Sequence, residues 1–89
     1  MELAELREQL NGIDRQLVEL LDRRFNISRQ VGQVKKEKGL PVLDQSREQA
    51  ILDRNREWLK DSGNADQVER IFVEIFSESR GLQEEKKHD

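Results

Sequence analysis

The sequence predicts an all-α fold of three helices, one long and two shorter. The prediction rests on a long run of apolar residues spaced three and four apart, two further segments of helical periodicity, and no strand-like alternation. With 89 residues, the chain is expected to form one domain over residues 1–89. Apolar residues make up 34% of the chain and charged residues 39%, a lean composition for an independent core. We therefore expect the chain to oligomerise.

The first predicted helix extends from Leu3 to about Lys38 and is roughly 50 Å long at about 1.5 Å per residue. Its apolar residues follow the spacing of a coiled-coil seam, except where Arg24 takes a seam position. A guanidinium in such a seam needs an anionic partner to offset its desolvation, so the function should be sought around Arg24. The seam residues, called the apolar stripe below, are Leu3, Leu6, Leu10, Ile13, Leu17, Leu20, Ile27, Val31 and Val34.

Two glycines mark special positions in and after this helix. Gly39 is predicted to be its C-cap, since cations precede it and Pro41 follows shortly after. Gly32 lies inside the helix, where glycine costs about 1 kcal/mol relative to alanine. Either the cost is simply tolerated, or another backbone or a ligand approaches closely at Gly32; the sequence leaves both open.

The other two predicted helices follow short connections. Asp44 is the expected N-cap of a second helix from about Gln45 to Lys60. Trp58, the single tryptophan, is expected to pack in the core. The composition of Asp61–Asn64 indicates a turn, and a third helix is predicted from about Ala65 to Glu85.

The composition argues against several classes of function. The chain has no cysteine, and its one histidine, His88, lies in a charged C-terminal tail that we expect to fray. Thiol chemistry, a histidine base and a metal site built from cysteine or histidine are therefore not expected. We expect a cytoplasmic protein, because no stretch is apolar enough to span a membrane or serve as a signal peptide. The net charge of -3 disfavours nucleic acid binding.

Three cations of the first helix are candidates for binding an anion. Arg24 and Lys35 are eleven residues apart, about 16 Å along the axis, so their side chains can converge on one small anion. Arg7 lies about 25 Å before Arg24 and could join that ligand only from a second, antiparallel chain. The competing interpretations are a structural ion pair for Arg24 and solvent exposure for Arg7 and Lys35.

Polar residues on the other helices extend this candidate site. The spacing of Asp44, Arg47 and Glu48 places them on one face, as a surface salt-bridge cluster or as the rim of a site for a hydroxylated anion. Ser79 and Gln83 form a polar step in an apolar face, and buried polar groups need partners. This set lacks an evident nucleophile. It suits a reaction that depends on binding, orientation and electrostatic stabilisation.

With these residues following one another in this order along the chain, the sequence resembles a chorismate mutase of the all-helical class over nearly its whole length. The resemblance implies an intertwined homodimer in which the long first helices pair and form two equivalent active sites. It also implies an isomerase of the shikimate pathway, which converts chorismate to prephenate for phenylalanine and tyrosine biosynthesis without a cofactor. The matching segments are Leu6–Asn11 with Ile13 and Asp14, Leu20–Arg24, Val31–Lys35, Pro41–Asp44 leading into Arg47 and Glu48, and Ile71–Phe72 through to Gln83.

The resemblance also implies a role for each candidate residue. Cations hold the two substrate carboxylates, two donors meet the ether oxygen, and an acid meets the ring hydroxyl. The implied assignments are Arg24, Arg47 and Arg7 of the other subunit, with Ser79, for the carboxylates; Lys35 and Gln83 for the ether oxygen; and Glu48, with Asp44 nearby, for the hydroxyl.

Three alternatives differ in function. Isochorismate pyruvate lyases share this fold but lack an acidic pair like Asp44 and Glu48 and a small residue like Ser79. A regulatory domain of a shikimate-pathway synthase is a second alternative, because Ile71–Glu85 resembles the synthase-fused type; fusion to or association with another pathway enzyme is also possible. A purely structural scaffold is the weakest, since it leaves Arg24 without a partner. Prephenate formation from chorismate distinguishes the mutase from all three.

Overall fold

The computed structural model describes residues 2–85, and three α-helices account for most of them. The helices are α1 (Leu3–Lys38), α2 (Gln45–Trp58) and α3 (Ala65–Gln83). The all-α prediction is confirmed, although α2 and α3 each end two residues earlier than predicted. No helix of the described segment is long and apolar enough to cross a membrane. The predicted fraying of the tail at His88 falls outside residues 2–85.

Both predicted capping residues occupy the expected positions. Gly39 has φ 66°, a left-handed conformation that favours glycine, and its N–H donates to the carbonyls of Lys35 and Lys36. Asp44 accepts a 3.0 Å hydrogen bond from the backbone N–H of Arg47 at the start of α2. This bond and another from the Ser46 hydroxyl lower the pKa of Asp44, so the cap is a carboxylate at neutral pH.

The three helices form a flat layer with α3 packed against both of the others. The molecule measures 54 × 32 × 14 Å, and α1 and α2 do not pack against each other in the described chain. Its buried apolar residues are Ile51, Ile75 and Phe76. A core this small is consistent with the lean composition, and it leaves much of α1 without cover.

The apolar stripe of α1 is exposed in the single chain. Every one of its nine residues is at least 40% exposed, the lowest value being that of Val31. Trp58 is 71% exposed, so its predicted place in the core is wrong for the single chain. It is the last residue of α2, and its ring stacks instead under the guanidinium of Arg54, 4.5 Å from the ring centroid.

At Gly32, the backbones of α1 and α3 approach each other closely. A Cβ atom added at Gly32 would lie 2.6 Å from the Cα atom of Gln83 and 2.7 Å from its carbonyl oxygen. Of the two interpretations left open by the sequence, close backbone approach is therefore the one observed. This contact brings the end of α3 beside the last turns of α1.

Candidate active site

A cavity of about 480 Å³ lies where the three helices meet. Each helix contributes a face of residues spaced i, i+3, i+4 and i+7, the periodicity that aligns side chains along one side of a helix. Seven of the eight predicted site residues line it: Arg24 and Lys35 from α1, Asp44, Arg47 and Glu48 from the start of α2, and Ser79 and Gln83 from α3.

Arg7 is the predicted residue that the single chain does not bring to the cavity. It is exposed near the beginning of α1 and does not line the cavity. Its separation from Arg24 along one continuous helix is about 25 Å, which no arginine side chain spans.

Lys35 and Gln83 form a pair of hydrogen-bonding groups at one end of the cavity. The Nζ atom of Lys35 donates to the side-chain oxygen Oε1 of Gln83 and to the backbone carbonyl of Val42, each at 2.7 Å. An amide that accepts through Oε1 keeps both N–H donors of its Nε2 atom for another partner. The ammonium has a third N–H as well, so the pair can present two adjacent donors to one acceptor.

Arg24 is held among neutral and aromatic groups. Its Nη1 atom donates to the Ser79 hydroxyl at 3.1 Å, and its Cζ atom lies 5.8 Å and 6.0 Å from the ring centroids of Phe72 and Phe76. In residues 2–85, no carboxylate lies within 4.0 Å of this guanidinium, so the structural ion pair weighed against ligand binding is not found.

The surroundings of Arg24 favour an anion. Burial, followed by the charges of Arg47 and Arg54, lowers the pKa of Arg24 from its ordinary value. An arginine this basic remains charged, so the lowered pKa reports desolvation and mutual repulsion of cations. A bound anion would relieve both effects.

Arg80 is a residue of the cavity that the sequence interpretation missed. Its Nη1 atom lies 2.7 Å and 2.6 Å from the two carboxylate oxygens of Glu48, so Glu48 is ion-paired across α2 and α3. The signal was present in the spacing: Phe76, Ser79, Arg80 and Gln83 repeat the i, i+3, i+4, i+7 pattern of a single helix face. Only two of its polar members, Ser79 and Gln83, were singled out.

The charges around the cavity suit a small dianion. Four cations and two carboxylates line it, which gives a local charge of +2 in a chain whose net charge is -3. Hydroxyl, amide and carboxylate groups add hydrogen-bonding positions, while Ile51 and Phe76 provide apolar wall. The cations are Arg24, Lys35, Arg47 and Arg80; the carboxylates are Asp44 and Glu48.

The fold and this site define an all-helical protein with a small cavity of net positive charge between its helices. A family model described as chorismate mutase type II matches residues 6–84. The chain therefore belongs to the chorismate mutase type II family, the all-helical class of these isomerases.

Individual relatives agree with this family. The chain is 35% identical to the chorismate mutase of Methanocaldococcus jannaschii over 83% of its own length and 72% of that protein. It is also 35% identical to the T-protein of Haemophilus influenzae over 86% of its own length, but it spans only 21% of that longer relative. A conserved hypothetical protein from Pyrococcus furiosus has a similar solved structure, with a TM-score of 0.76, 33% identity, and coverage of 91% of this chain and 93% of that chain.

Proposed function

We propose that this chain catalyses the Claisen rearrangement of chorismate to prephenate, acting as a homodimer with two shared active sites. The observation that carries the proposal is the cavity with a charge of +2 that holds adjacent Lys35 and Gln83 donors. Chorismate is a dianion with one ether oxygen and one ring hydroxyl, so its charge and polar groups match this set. Family membership supports the same reaction.

The arginines would select the reactive shape of the substrate. Arg24, with Ser79 beside it, and Arg47 are placed to hold carboxylates in the cavity. Binding both carboxylates at fixed positions favours the compact diaxial conformer, in which the two carbons that must bond are close together. Holding reactants in such a near-attack geometry is a major source of rate enhancement in unimolecular rearrangements.

Lys35 and Gln83 would stabilise the transition state. The C–O bond of the ether breaks ahead of C–C bond formation, so negative charge grows on the ether oxygen in the transition state. As the C–C bond completes, that charge is lost and the former ether oxygen becomes the oxygen of the new carbonyl group. No atom leaves the substrate and no proton is transferred. Donors fixed around a developing negative charge contribute most in such reactions, and the 2.7 Å contact between Lys35 and Gln83 keeps both donors at one point.

Glu48 and Asp44 would define the hydroxyl end of the site. Glu48 is free to accept a hydrogen bond from the ring hydroxyl through its remaining lone pairs. Asp44 lines the same wall while its Oδ1 atom caps α2.

The dimer would supply Arg7 and cover the apolar stripe. An exposed stripe from Leu3 to Val34 of the 36-residue α1 fits the α1 helix of a second copy. An antiparallel arrangement brings Arg7 of the partner subunit toward the cavity that the single chain leaves without it. Since the matched part of the T-protein is 21% of its length, we further propose that domains of this kind can work fused to or associated with another enzyme of the pathway.

The decisive experiment is to incubate the purified chain with chorismate and measure prephenate. We expect saturable conversion, with no added metal or cofactor, by a particle of twice the chain mass in sedimentation at micromolar concentration. Release of pyruvate instead of prephenate would replace the mutase with a lyase. A folded, fully active monomer would contradict the shared site.

A further inference from the structure

The pairing of Arg80 with Glu48 has no counterpart among the roles assigned above. Arg80 follows Ser79 directly on α3, and its guanidinium reaches across the cavity wall to α2. The two side chains are 33% and 25% exposed, and one nitrogen lies within 2.7 Å of both carboxylate oxygens. A partly buried, charge-assisted contact of this kind fixes the position of both groups more firmly than a surface ion pair.

An acid in a site for a dianion creates an electrostatic problem. A Glu48 carboxylate placed to accept from the ring hydroxyl also repels the two carboxylates of the substrate. Arg24 and Lys35 from α1 and Arg47 from α2 also line the cavity, but their proposed partners are the substrate carboxylates and ether oxygen. Arg80 is the cation of the described chain that contacts Glu48 itself.

We propose that Arg80 is a positioning residue for substrate binding, which acts through Glu48 and rests on the proposed mutase function. It cancels the charge of Glu48 toward the dianion and holds the carboxylate so that its remaining lone pairs point to the ring hydroxyl. Because each carboxylate oxygen has two lone pairs, the contact with Arg80 leaves one acceptor site on each for that hydroxyl. Arg80 therefore strengthens binding while Glu48 makes the contact.

The expected changes in KM and kcat follow from the contact between Glu48 and the ring hydroxyl, through which Arg80 acts. The ring hydroxyl takes no part in bond making or breaking, so the contact is present in both ground and transition states. Loss of such uniform binding raises KM and leaves kcat nearly unchanged. For Arg80→Ala we expect KM to rise about tenfold and kcat to stay within about threefold, since directly contacting charged pairs typically couple at this level. Arg80→Lys, which keeps the charge, should recover most of the loss.

A double-mutant cycle with Glu48→Gln tests whether the effect passes through Glu48. In that background the charge that Arg80 offsets is gone, so Arg80→Ala should change KM less than about twofold. Arg70→Ala removes an exposed arginine from the same helix outside the cavity and should leave both constants unchanged. Arg80→Gln serves as a second variant of similar length, and circular dichroism establishes that each variant is folded.

Several results would overturn the inference. An equal loss in the Glu48→Gln background would show that Arg80 acts independently of Glu48. The inference is also overturned if Arg80→Ala lowers kcat at constant KM, or if both Arg80→Ala and Arg80→Gln keep the wild-type kcat and KM. A wild-type chain that does not convert chorismate would instead remove the proposed function, so the two failures are distinguishable.

Discussion

Replacing Gly32 with alanine tests the link between helix packing and catalysis. The added methyl carbon would lie 2.6 Å from the Cα atom of Gln83, whereas ordinary contacts begin near 3.4 Å. The end of α3 must therefore move by about 0.8 Å, because the obstructing atoms are backbone and cannot rotate away. Gln83 moves with that backbone, and its 2.7 Å contact with Lys35 lengthens or breaks.

The expected magnitudes differ for stability and activity. Alanine gains about 1 kcal/mol of helix propensity over glycine, while overpacking costs about 1–3 kcal/mol. The free energy of unfolding should therefore fall by up to about 2 kcal/mol. A misplacement of roughly 1 Å can reduce catalysis by about 100-fold, so we expect kcat to fall about 10- to 100-fold. Chemical denaturation and the rate of chorismate consumption measure the two effects separately.

Gly81→Ala is the matched control on α3. No atom lies within 4 Å of the position of its added methyl carbon, so only the propensity gain applies and stability should rise by up to about 1 kcal/mol. Activity of this variant should remain within about twofold of the parent. If Gly32→Ala is as stable and as active as Gly81→Ala, the close approach to Gln83 does not constrain the site.

Two further predictions concern the proposed catalytic residues. Arg7→Ala and Lys35→Ala should each lose about 100-fold or more in activity, as expected for removal of a charge-stabilising donor. An equimolar mixture of the two refolded variants should nevertheless regain about a quarter of parental activity, because half of the dimers are then heterodimers and each heterodimer has one intact site of two. Demonstrated heterodimers without recovery of activity would exclude a shared site. The Gln83→Glu carboxylate should form an ion pair with Lys35, and this variant should be nearly inactive at pH 7.5. Its activity should recover as the pH falls through the pKa of the new carboxyl group, since protonation restores an O–H donor. Full activity at pH 7.5 would show that Gln83 does not contact the ether oxygen.

The elements of the fold were predictable because local signals determine them. The three-four spacing of the apolar stripe, the glycine after Lys38 and the aspartate before Gln45 each act within one helix turn. The same holds for much of the site: helix periodicity alone places Arg47 and Glu48 on one face. The sequence did not decide whether Gly32 is merely tolerated or marks a close approach of another backbone or a ligand, because the answer depends on the position of α3.

The errors arose where long-range contacts decide the outcome. Trp58 is apolar and was expected in the core, but it is exposed and its ring packs on Arg54 of its own helix. The role of Arg80 was not predicted from the sequence, because its pairing with Glu48 depends on how α2 packs against α3.

A single register between the two α1 helices of the proposed dimer can both bring Arg7 to the cavity and cover the apolar stripe. In antiparallel copies related by a two-fold axis, facing residues have numbers of constant sum. Setting Arg7 of the partner subunit beside the middle of the Arg24–Lys35 interval requires a sum of about 36.

That sum also places Leu3 opposite the last turn of the apolar stripe, so the register that completes the site covers the whole stripe, with the axis near Val18. Leu17 belongs to the stripe and lies next to that axis, so Leu17→Cys in this cysteine-free chain should be joined within the dimer by a short bis-maleimide reagent, whereas Glu5→Cys, whose copies lie about 39 Å apart, should not. Efficient joining at Glu5→Cys but not at Leu17→Cys would refute this register and require another source for the missing cation.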